Sequence, residues 1–160
     1  MENRVAGSWQ YKLVADGEWV LAGWSSDETA GNFVATEEGR LYQLTYEVSN
    51  DRFAWGERSS PSRGNAIYDM WSADLDTFYF ATQTGDVVRR DLATQSIETV
   101  FDGVYWLYGI WGTSNSDIWA VGINETIVHF DGDDWTVVDT GLALPKSGYH
   151  AITDKFGRPQ

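Results

Sequence analysis

Residues 110–139 read IWGTSNSDIWAVGINETIVHFDGDDWTVVD. Three short apolar runs lie in this stretch, at 118–121, 127–130 and 135–138, and all are rich in Trp, Val, Ile and Phe. Asn124-Glu125 separates the first two, and Asp131-Gly132-Asp133-Asp134 separates the last two. Aromatic and β-branched side chains suit a pleated, half-buried surface, whereas Asp, Asn and Gly suit tight turns. With residues 105–111 in front, the stretch predicts four antiparallel strands in a meander.

The pattern recurs in phase. Trp119 follows Trp111 by 8 residues, and Val121-Gly122 and Ile127-Val128 come next. Tyr79 likewise follows Trp71 by 8, before Ala81-Thr82, Gly85 and Val87-Val88. Phe33 follows Trp24 by 9, before Ala35-Thr36, Gly39 and Leu41-Tyr42. A small pair comes after each Trp: Ser25-Ser26, Ser72-Ala73 and Gly112-Thr113. The anchors stand 47 and 40 residues apart. A period of that length made of strands alone is the signature of propeller blades. The expected fold is therefore an all-β propeller in one domain, with blades at 18–57, 66–101 and 104–138.

The string IWGTSNSDIWAVG followed by IVHFDGDDW resembles a blade of bacterial β-propeller repeat proteins of the myxobacterial type. Those blades read VWG-x-s-x-x-D-V-W-A-V-G and end in H-y-d-G-x-x-W. The likeness is close over about thirty residues and loose in the other two units. One departure is Glu125, where the repeat carries Gly at the hairpin turn. The resemblance implies a blade and a binding or surface role; it implies no reaction.

Outside these units, Trp9, Tyr11, Leu13 and Val14 read as a last strand, because Gly7-Ser8-Trp9 matches Asp134-Trp135. His150-Ala151-Ile152 matches Tyr108-Gly109-Ile110 and reads as a first strand. A split blade made from 4–14 and 149–160 brings the inventory to about three and a half blades, short of the roughly 4 to 8 that close a ring. An open arc exposes strand edges and flat apolar faces. A homo-oligomer, with a dimer favoured, or a place in a larger assembly is therefore expected.

The 160 residues carry 24 acids against 11 Lys and Arg, a net charge of -13. Nucleic acid demands a basic surface and is not an expected partner. With no Cys, neither disulfides nor thiolate metal sites can form. The first residues show no apolar leader and no run of 18 apolar residues occurs. No membrane partner is expected, and a cytoplasmic or virion-associated setting fits.

Candidates for chemistry are thin. His129 sits where the resembling repeat itself carries His, and His129 and His150 show no metal-ligand spacing. Asp131, Asp133 and Asp134 lack the long ligand loop of a calcium site and read as a turn. Asn124-Glu125-Thr126 matches the glycosylation sequon. No cofactor, no metal and no catalytic group is expected, and the chain reads as a binding or scaffold module rather than an enzyme. Its natural surface is the set of connections 59–65, 102–104 and 140–148 and the turns 37–40, 83–86 and 123–126. Trp24, Trp71, Trp111, Tyr108 and His150 are the candidate ligand or partner residues. A lectin-like propeller is the alternative function, and a glycan-directed hydrolase comes third.

Overall fold

The computed structural model describes residues 17–25, 31–47, 49 and 52–141. Within them the chain forms three four-stranded antiparallel sheets and no α-helix. The first sheet holds β1 (Val20–Ser25), β2 (Asn32–Thr36), β3 (Leu41–Glu47) and β4 (Arg52–Ser59). The second holds β5 (Ile67–Ser72), β6 (Thr77–Thr82), β7 (Val87–Asp91) and β8 (Ile97–Phe101). The third holds β9 (Leu107–Ser114), β10 (Asp117–Gly122), β11 (Ile127–Phe130) and β12 (Trp135–Val137). Each sheet is a meander in chain order. The expected terminal strands around Trp9 and His150 lie outside the described residues.

The three sheets share one register. Trp24 pairs with Phe33, Trp71 with Tyr79 and Trp111 with Trp119. The third strand then adds Gln43, Arg89 and His129 at the same level. The anchor spacings of 47 and 40 residues are thus spacings between matching backbone positions. Strand limits differ from those read in the sequence mostly at their ends. The largest difference is β9, which runs past Trp111 to Ser114 and carries Gly112 and Ser114 in the ladder, with Thr113 bulged out between them.

Two cores hold the sheets face to face. Ala22, Phe33, Ala35 and Leu41 of the first sheet meet Ile67, Met70, Phe78, Phe80 and Val88 of the second. On the other side, Trp71, Tyr79, Ala81 and Val87 meet Leu107, Ile110, Ile118, Ala120 and Val128 of the third. The alternation along β6 explains both contacts: Phe78 and Phe80 point one way, Tyr79 and Ala81 the other. Across sheets, β1 lies beside β5 and β5 beside β9. Among the described residues the arrangement is open, with no comparable contact between the first and third sheets.

Aromatic packing sets the fit. Phe78 lies 4.6 Å from Phe33 and 5.3 Å, edge-on, from Trp24 between ring centroids. Trp71 is only 8% exposed and its indole lies along Gly112. A Cβ built there would sit 2.8 Å from the indole Cη2, so no larger residue fits without displacement. The small residue after the third anchor Trp is therefore a space requirement set by the Trp71 indole together with the Asp117 carbonyl, 2.7 Å from the same built Cβ.

The turn after each second strand places its third residue in the left-handed region. It is Gly39 at φ 72°, Gly85 at φ 95°, and Glu125 at φ 61°. Asn124 precedes Glu125 at φ 54°, so both central residues of the third turn are left-handed. Gly39 and Gly85 are also confined by the next connection, Gly39 by Asn65 and Gly85 by the Tyr105 backbone at 2.6 Å from a built Cβ. Left-handed backbone costs an L-residue with a Cβ about 1–2 kcal/mol. Glu125→Gly is expected to stabilise the chain by about 1 kcal/mol, read from the denaturation midpoint. Trp71→Ala is expected to cost about 3–5 kcal/mol. Val137→Ala, at a side chain 66% exposed, should change stability by less than about 0.5 kcal/mol.

Candidate functional site

The first strands carry a shared irregularity. Register shifts fall between Val20 and Ala22, between Ile67 and Asp69, and between Leu107 and Gly109. The extra residues are Leu21, Tyr68 and Tyr108. A bulge leaves its extra residue out of the ladder and re-aims its side chain. Just ahead of each bulge a carbonyl accepts a bond from the residue that follows the second strand. Glu37 N–H donates to Trp19 O at 3.0 Å, Gln83 N–H to Ala66 O at 2.9 Å, and Ile123 N–H to Trp106 O at 3.0 Å.

This local geometry gathers aromatic side chains on adjacent first strands. Tyr68 and Tyr108 lie 4.9 Å apart between centroids, and Trp106 lies 6.2 Å from Tyr68 and 6.3 Å from Tyr108. Trp106 is 42% exposed, and Trp19 and Leu21 occupy the matching positions of the first sheet, also exposed. Burial, and after it the nearby Tyr108, raises the pKa of the Tyr68 phenol.

Asp69 lies directly behind this aromatic strip. Its Oδ1 accepts from Met70 N–H and its Oδ2 from Ile110 N–H, both at 2.9 Å. The second bond crosses from one sheet to the next. Burial raises the Asp69 pKa, and the two N–H donors offset part of that rise.

A separate polar group decorates the third sheet. Asp117 Oδ1 accepts from Trp119 Nε1–H at 3.0 Å and lies 2.8 Å from His129 Nε2. Thr113 donates its hydroxyl proton to Asp117 Oδ2. The His129 ring stacks on Trp119 at 3.9 Å and 18°. The hydrogen bond from Thr113, and after it that from His129, holds the Asp117 pKa below its usual 3.8. At the next turn, Asp131 Oδ1 accepts from the backbone N–H groups of Asp133 and Asp134, both at 3.0 Å. Among the described residues no group of three or more His, Asp or Glu is placed to hold a metal ion.

Of the residues singled out in the sequence, Trp24, Trp71 and Trp111 occupy one register level and pack against the two cores. Tyr108 belongs to the aromatic strip. His150 lies outside the described residues. Tyr68, Trp106 and Trp19 were not singled out. A signal for the first was present, since Tyr68 precedes Tyr108 by the same 40 residues that separate Trp71 from Trp111.

No protein-family model matches the chain, and no curated protein matches it. Among the described residues, no helix is long and apolar enough to cross a membrane.

The Asp117 group yields a pH prediction. Its folded pKa is depressed, so its contribution is complete above the unfolded value of 3.8 and is lost as pH falls through the folded value. Asp117→Asn should therefore flatten the loss of stability below about pH 4. Asp74, Asp91 and Asp131, also depressed, keep the remaining slope. Denaturant midpoints of both proteins between neutral and strongly acidic pH measure the difference.

Proposed function

We propose that this chain is a β-propeller-type binding and scaffold module, without a catalytic role, that assembles with copies of itself. The observation that carries the reading is the aromatic cluster of Tyr68, Trp106 and Tyr108, with Trp19 and Leu21 exposed at the matching positions of the first sheet. Contiguous exposed apolar surface on a folded chain marks an interaction site. A chain of net charge -13 repels its own copies over most of its surface. The uncharged rings of Tyr68, Trp106 and Tyr108 are where a second copy can approach with less of that repulsion.

The propeller reading is supported by three successive four-stranded meanders with adjacent first strands, a common register and a common bulge. In this reading the sheets are blades of an incomplete ring, and a second copy supplies the rest. The split blade from 4–14 and 149–160 would bring two copies to about seven blades, a ring size within the usual range. The strip then lines the axis that both copies share.

The mutual approach of the Tyr68, Trp106 and Tyr108 rings favours a second reading, a lectin-like module stacking on sugar faces. Light scattering and a glycan array separate the two. Assembly predicts at least twice the 18.0 kDa chain mass, no glycan binding, and tighter association as salt screens the like charges. The double variant Trp19→Ala/Trp106→Ala should weaken assembly with an unchanged circular dichroism spectrum. An 18.0 kDa species that binds glycans through Trp106 would replace the scaffold reading with the lectin.

A further inference from the structure

Arg90 is the most deeply buried charged side chain among the described residues, at 2% exposure. The alternation along β7 sends Arg89 outward, where its Nη2 donates to Glu98 at 2.8 Å. Arg90 points the opposite way, toward the first sheet. Its Nη2 donates to Gln95 Oε1 at 2.7 Å and, at 3.4 Å, to the Arg58 carbonyl. Its Nε and Nη1 are buried and meet no acceptor among the described residues. A buried cation keeps its charge at a cost unless an anion or several acceptors face it.

Among the described residues no carboxylate bonds Arg90, although acids outnumber bases two to one. A second cation stands beside it instead. Arg58 of β4 is fixed by its Nε, which donates to Gln43 Oε1 at 2.7 Å. Burial first, and the Arg58 charge second, lowers the Arg90 pKa. The two arginines line a cleft of about 330 Å³ together with Gln43, Glu57, Leu92 and Gln95. Glu57 is the one carboxylate in that lining, and its charge also acts on Arg40. Gln95 is held at φ 61°, and its Nε2 donates to the Leu92 carbonyl. That grip turns the amide oxygen, a neutral acceptor, onto Arg90.

We propose that this cleft, between β4 and the turn joining β7 to β8, binds a small oxyanion, a phosphate or carboxylate group, between Arg58 and Arg90. Guanidinium groups present paired N–H donors that match both groups. The amide oxygen of Gln95 occupies the position the anion takes, and its side chain, on an exposed turn, withdraws as the anion enters.

The test uses inorganic phosphate and acetate as separate probes, at fixed pH and ionic strength. Melting temperature and the arginine Nε–Hε signals in nitrogen–proton correlation spectra are followed. Either probe is expected to raise the melting temperature saturably and to shift the Arg58 and Arg90 signals. Saturation by one probe alone supports the site and names its ligand. Arg58→Gln, at an exposed residue, should weaken the affinity about tenfold or more. Arg90→Met should abolish binding, and Gln95→Ala should leave it equal or tighter. No saturable response to either probe overturns the proposal. So does a response that Arg58→Gln leaves unchanged, an arm that holds even where Arg90→Met fails to fold.

Discussion

The second sheet is packed on both faces, and the arrangement of the chain depends on that constraint. A sheet with one wet face alternates apolar and polar residues, but β6 reads TFYFAT and is buried from Phe78 to Thr82. Removing either neighbour would uncover Phe78 and Phe80 or Trp71 and Tyr79. The first and third sheets are thus held through the second, and their relative placement follows from side chains the middle sheet directs to either side. Gly112 shows how tight the arrangement is, since the Trp71 indole occupies the space of an absent methyl group.

The strands and turns were legible in the sequence. Runs of aromatic and β-branched residues separated by Asp, Asn and Gly gave strands and turns because those residues act locally. Glu125 also stood out as a departure, and it occupies a left-handed position that Gly39 and Gly85 hold in the other sheets. The bulges were not legible. Whether Leu21, Tyr68 or Tyr108 leaves the ladder depends on how two strands share hydrogen bonds, and no residue type announces it. Asp69 was missed for a related reason. Its partner Ile110 lies 41 residues away, and the matching positions are Ala22 and Gly109, so no recurring pattern pointed to it.

The candidate site shows the same division. Trp24, Trp71 and Trp111 drew notice because large aromatics in phase are conspicuous, and their packing against the two cores follows from that regularity. The exposed strip is less regular: Ala66 stands where the other sheets have Trp19 and Trp106. Arg90 was invisible in the sequence because Arg-Arg on a strand gives no sign of which guanidinium faces inward. Only the pairing of β7 with β6, which sets Arg90 beside Phe78, decides it.

The clamped hairpin turns change what chain engineering can do. Surface connections commonly tolerate added residues, but the 60–65 connection rests on the Gly39 turn, and the backbone at 103–105 rests on the Gly85 turn. A peptide tag inserted in either would pry at a hairpin turn of the sheet that the connection leaves and spread the disturbance toward a core. The turn after β7 is tied locally, by Asp91 Oδ1 to Thr94 N–H and by Asp91 N–H to Ser96 O, but it carries the Gln95 grip on Arg90. The hairpin at 131–134 is closed by its own Asp131, and its Gly132 lies against Ser116 of the β9–β10 turn. A fluorophore or affinity handle there disturbs first a contact within the third sheet, not the connection between two sheets.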